Sequence, residues 1–73
     1  MVTVYTLPAC VQCDSTKRLL TRNSVEYQEI DLSKDADAMA MVRELGYTAA
    51  PVVMAGEDHW SGFRPDKLAT LTQ

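Results

Sequence analysis

The sequence predicts a small α/β domain: a four-stranded mixed sheet covered by three helices, in the order β-α-β-α-β-β-α. Three observations carry that prediction. A β-rich run at residues 2–7 leads directly into Cys10-Val11-Gln12-Cys13 and then into a helix-like stretch. An alternating run at residues 25–31 is followed by an amphipathic helical pattern that stops at Gly46. Two short runs, 51–55 and 59–61, are then separated by the turn-forming Gly56-Glu57-Asp58. A chain of 73 residues supports one modest core, so residues 1–73 are expected to form a single domain.

Each element has a local reason. Residues 2–7 are rich in β-branched and aromatic types without clean alternation, which suits a strand buried on both faces. From Cys10 to about Asn23 the pattern is helical. Leu19 and Leu20 face the sheet there, Lys17, Arg18 and Arg22 lie on a solvated outer face, and Asn23-Ser24 ends the helix. Residues 25–31 alternate at period two and read as a half-exposed strand. Ser33 is the expected N-cap of the second helix, with Asp35 and Asp37 in its first turns. Met39, Val42 and Leu45 then share one face, beside Ala38 and Met41, and Gly46 is the C-terminal stop. Pro65 suits the first position of the last helix, with Asp66 beside it and Leu68 and Leu71 turned inward. The helical crossover makes the first two strands parallel, and the hairpin-length link makes the last two antiparallel. With helices on both faces, this is the minimal thioredoxin-like layout.

The net charge of −3 argues against a nucleic acid partner. No basic segment precedes an apolar run at the start of the sequence, and no stretch is long enough to span a bilayer. No membrane partner is therefore expected, and the cytoplasm is the expected compartment. Disulfides there are usually transient and catalytic.

The two cysteines bear the chemistry. A C-x-x-C at a strand-to-helix junction puts the first sulfur at the helix N-terminus, where unpaired N–H groups and the macrodipole favour a thiolate. The second sulfur lies one turn further on the same face, within reach of a disulfide. So short a loop makes a poor staple, and reversible electron transfer is its better use. Cys10 is the expected nucleophile and Cys13 the resolving thiol, with no cofactor beyond their redox-active disulfide. The alternative is a zinc site, which wants four ligands, and beyond the two cysteines the chain offers only His59. A metal is therefore not expected, and His59 reads as a hairpin side chain. Met39, Met41 and Met54 read as core-fillers.

Cys10-Val11-Gln12-Cys13, Ala50-Pro51-Val52-Val53 and Trp60-Ser61-Gly62-Phe63-Arg64-Pro65-Asp66 together resemble the NrdH-type redoxins. These are glutaredoxin-like electron donors to class Ib ribonucleotide reductase, and the likeness runs over residues 2–68. It implies a dithiol-disulfide oxidoreductase, re-reduced by an NADPH-dependent thioredoxin reductase and serving ribonucleotide reductase. By the same resemblance Pro51 is cis and faces the dithiol, with Ala50 and Pro51 forming one wall of the site. Val11, Gln12, Trp60, Phe63 and Arg64 are the candidate partner-binding residues. Trp60 and Phe63 have an alternative in simple packing, and Arg64 in bracing its loop to a nearby acid. Leu7 departs from the basic residue often found there in the family.

Glutathione-dependent glutaredoxins are the alternative family. They usually hold a Thr two residues before the cis proline and an Asp pair capping the last helix, and these groups bind the tripeptide. Here Ala49 stands in place of the Thr and Arg64-Pro65 interrupts the acidic cap. An iron–sulfur carrier made by two chains is a further alternative.

Overall fold

The computed structural model describes residues 1–71; residues 72 and 73, the end of the expected domain, lie outside it. The elements are β1 (Val2–Thr6), α1 (Val11–Arg22), β2 (Tyr27–Asp31), α2 (Ala36–Glu44), β3 (Val52–Ala55), β4 (Asp58–Ser61) and α3 (Pro65–Leu68). Short 3₁₀ turns at Leu32–Lys34 and Ala69–Leu71 complete the path. The strands lie in the order β2-β1-β3-β4, with β1 parallel to β2 and antiparallel to β3. β3 and β4 form the antiparallel hairpin. The predicted layout is the one observed, and among the described residues no helix is long and apolar enough to cross a membrane.

The interior strand β1 explains the two-sided core. Val2 and Val4 turn to one face, where they meet Leu20 of α1, Leu68 of α3, Val53 of β3 and Trp60 of β4. Tyr5 turns to the other face and packs with Val52, Leu32 and Val42 of α2. Fully burying one aliphatic side chain contributes roughly 1.5–3 kcal/mol. The two clusters therefore supply the main force that clamps α1 and α3 on one side and α2 on the other.

Several boundaries differ from expectation, each for a hydrogen-bonding reason. β2 begins at Tyr27 rather than at residue 25 because α1 ends in a left-handed turn at Ser24, with φ 59°. The Val25 N–H donates to Leu20 O and the Ser24 N–H to Thr21 O. Val25 is thus committed to the helix cap and has no N–H free for the sheet. Ser33 does not cap α2: its N–H and hydroxyl both donate to Asp31 Oδ1, at 2.9 and 2.6 Å. Asp35 caps instead, accepting from the Ala38 N–H at 3.0 Å. Gly46 is the stop, at φ 94°, donating to Arg43 O while the Tyr47 N–H donates to Val42 O. Leu45, expected on the inner face, is exposed at this helix end.

Candidate functional site

The site is built where three loops meet at one end of the sheet. The first follows β1 and delivers Cys10 to the N-cap of α1 in an extended conformation. Cys10 and Cys13 form a disulfide. The Cys13 N–H donates to Cys10 Sγ at 3.0 Å, so the side chain that caps the helix is the sulfur itself. Once the disulfide opens, that N–H and the dipole of a twelve-residue helix favour negative charge on Cys10. The two sulfurs have unlike surroundings. Cys10 is half-buried at the rim, whereas Cys13 is 1% exposed.

The second loop carries Ala50 and Pro51, joined by a cis peptide bond, with Pro51 fully buried and Ala50 half-buried. The third runs from Ser61 to Arg64. Backbone and side-chain bonds stitch all three together. The Gly62 N–H donates to Pro51 O at 2.8 Å, and Ser61 Oγ donates to Ala49 O at 3.3 Å. The Phe63 N–H donates to Gln12 Oε1 at 3.1 Å, which ties the third loop to the middle of the C-x-x-C motif. Gly62 sits at φ 84°, a left-handed conformation, and a Cβ there would come within 3.4 Å of Gln12 Oε1.

The other candidate residues fall into two groups. Val11 and Phe63 are among the few large apolar side chains left exposed, at 78% and 37%, and both flank the dithiol in sequence or through the Gln12 bond. Trp60 is 4% exposed and belongs to the core beside α3, which is the packing alternative of its two readings. Arg64 braces its own loop. Its Nε and a terminal nitrogen bind the two oxygens of Asp66 at 3.1 and 2.9 Å. That hydrogen-bonded pair holds the Asp66 carboxyl below the usual carboxylate range and raises Arg64 above its own.

Some residues near the site gave no warning in the sequence. Lys17 was expected on the solvated face of α1, but it is half-buried and reaches across to Glu29 of β2 at 3.0 Å, with Asp14 at 3.7 Å. The hydrogen bond to Glu29 raises the Lys17 pKa above its ordinary value. Thr6, the last residue of β1, donates to the same Glu29 oxygen at 3.0 Å. Strand alternation puts Glu29 on the face of Tyr27, which packs toward α1, and that signal is usable only when the crossing of α1 above it is known. His59 lies on β4, with Nδ1 2.6 Å from the Tyr47 hydroxyl. Among the described residues no three His, Cys, Asp or Glu side chains gather where they could hold a metal ion.

Residues 2–60 match the glutaredoxin family. The chain is 41% identical over 70 residues to the glutaredoxin-like protein NrdH of Salmonella typhimurium, covering 96% of this chain and 86% of that one. It is 38% identical over 71 residues to the protein of the same name from Lactococcus lactis, covering 97% and 99%. The chain belongs to the NrdH group of glutaredoxin-like proteins. Its fold superimposes on that of the NrdH-redoxin from Escherichia coli with a TM-score of 0.96 at 38% identity, covering 99% of this chain and 95% of the other. That protein is described as having a thioredoxin-like activity profile. NrdH membership and the bonded Cys10–Cys13 pair make this chain a thiol-disulfide oxidoreductase with a redox-active cysteine pair.

Proposed function

We propose that this NrdH protein carries two electrons from an NADPH-dependent thioredoxin reductase to the disulfide of a class Ib ribonucleotide reductase. It acts in the cytoplasm as a single domain. Cys10 is the nucleophile: its thiolate attacks the target disulfide, forms a mixed disulfide and releases the first target thiolate. Cys13 then attacks Cys10 Sγ, the Cys10–target bond breaks, and the second target sulfur leaves with the electron pair. The target has gained two electrons, and the protein is left as the Cys10–Cys13 disulfide for the reductase to reopen. The observation that carries this order is the contrast between a half-buried, N–H-capped Cys10 and a buried Cys13. Ala50, Pro51, Val11, Gln12, Phe63 and Arg64 form the rim on which protein partners rest. Trp60 supports that rim from beneath.

Thioredoxin reductase is favoured over glutathione by Asp66. Both oxygens of this acid are taken by Arg64. In glutathione-using glutaredoxins, by the family resemblance, an Asp pair at this helix start binds the tripeptide. Ala49 removes a second polar contact, and each such hydrogen bond is worth about 1 kcal/mol. The thioredoxin-like activity profile of the Escherichia coli NrdH-redoxin points the same way.

The test is NADPH oxidation in the presence of a protein disulfide, with thioredoxin reductase in one arm and glutathione plus glutathione reductase in the other. Turnover is expected only with thioredoxin reductase. Turnover only with glutathione would make the chain a glutathione-dependent glutaredoxin. In the same assay Cys10→Ser should abolish reduction, and Cys13→Ser should accumulate a mixed disulfide. Normal turnover by Cys13→Ser would end the two-thiol scheme.

A further inference from the structure

Two buried side-chain polar atoms among the described residues have no hydrogen-bond partner, Thr16 Oγ1 and Trp60 Nε1. Thr16 is 0% exposed and lies one helical turn beyond Cys13, on the buried stripe of α1 formed by Cys13, Thr16 and Leu20. A hydroxyl shut away from water without a partner carries a desolvation penalty, and an apolar side chain would avoid it. Its place one turn from the buried Cys13, on the same face of α1, supplies a reason for it to be there.

The structure is that of the disulfide form, in which Cys13 Sγ is bonded to Cys10 Sγ. Reduction breaks that bond and leaves a thiol in a site almost cut off from water. For the resolving attack it must become a thiolate there, and burial disfavours the charged form. A hydrogen bond donated to the sulfur offsets that cost.

We propose that Thr16 is a positioning residue whose hydroxyl donates a hydrogen bond to Cys13 Sγ in the reduced protein and is left without a partner in the oxidised one. The inference rests on Cys13 being the resolving thiol. In that step the Cys13 thiol gives its proton to water, the thiolate bonds to Cys10 Sγ, the Cys10–target bond breaks, and the departing sulfur takes a proton from water. Thr16 transfers no proton. It steadies the attacking sulfur and is released when the disulfide closes. Thr16 therefore weights the equilibrium between the two redox forms, with a sign that can be worked out in advance. Removing the hydroxyl takes a bond from the reduced form and relieves an orphaned group in the oxidised form. Both effects favour the disulfide.

The experiment equilibrates the whole protein with dithiothreitol buffers of set oxidised-to-reduced ratio and reads free thiols by alkylation and mass. Thr16→Val removes the hydroxyl at nearly constant shape, while Thr16→Ser keeps it. Thr16→Val should move the exchange equilibrium about tenfold toward the disulfide, equal to a potential about 30 mV more negative. Thr16→Ser should stay within about twofold of the parent protein, a limit set by one retained hydrogen bond. An unmoved Thr16→Val, or a Thr16→Ser displaced as far as Thr16→Val, overturns the proposal. Should Thr16→Val fold poorly, Thr16→Ala serves in its place, because its void weakens both redox forms alike. No reductase or partner protein enters the measurement, so an error in the partner assignment cannot alter its outcome.

Discussion

On one face of the sheet, Leu20 of α1 and Leu68 of α3 are fully buried against Val4 and Val53. On the other, α2 buries only Val42, and its neighbours Met39 and Met41 stay partly exposed. The helix that begins with the two cysteines stands on the denser face. Fixed branched side chains hold it, whereas the far side is filled by methionines, which tolerate rearrangement. A thiol that must meet a neighbouring sulfur at bonding distance needs a rigid seat, and α2 has no such duty. Packing quality follows the chemistry across the thickness of a single sheet.

The contrast can be tested by matched truncations. Leu68→Ala should lower stability by about 3 kcal/mol, read from the urea midpoint, because a four-residue helix has little else to hold it. Met39→Ala should cost only about 1 kcal/mol, since the site is already half open and can relax. Equal losses at the two positions would erase the distinction between the faces. Gln12→Ala sharpens it at the rim. Losing the bond to the Phe63 N–H should cost about 0.5 kcal/mol of stability, yet it should slow the reduction of protein disulfides more than that of a small disulfide.

Arg64→Ala should have the smallest effect, a slight loss of stability at neutrality whose signature is that it vanishes in acid. With its partner gone, the Asp66 carboxyl should titrate at a higher pH, seen by NMR of the side-chain carbon. A lowered folded-state pKa contributes stability that is fully present above the ordinary Asp value and lost as pH falls through the lowered one. The parent and the variant should therefore differ only above that window and converge in acid. A variant whose Asp66 titrates as before would show that Arg64 does not hold the acid.

The layout of the fold was legible because its signals are local. The β-rich run before Cys10, the Gly46 stop and the turn at residues 56–58 each reflect backbone chemistry within a few residues. The dithiol was legible for the same reason. What the sequence hid depends on neighbours far along the chain. Lys17 reads as a solvated cation until β2 brings Glu29 beneath it. The choice between the two readings of Trp60 likewise needed α3 to close over β4. The cap of α2 was decided by a competition between two acids four residues apart. Asp31 took the Ser33 N–H and hydroxyl for its own turn, which left the cap to Asp35.

The bond between Gln12 and the Phe63 N–H joins residues 51 positions apart. A ribosome adds about 5–20 residues each second, so the two partners are made several seconds apart. Throughout that interval the nascent chain already holds both cysteines but not the loop that frames them. The site therefore comes into being only after most of the chain has been translated.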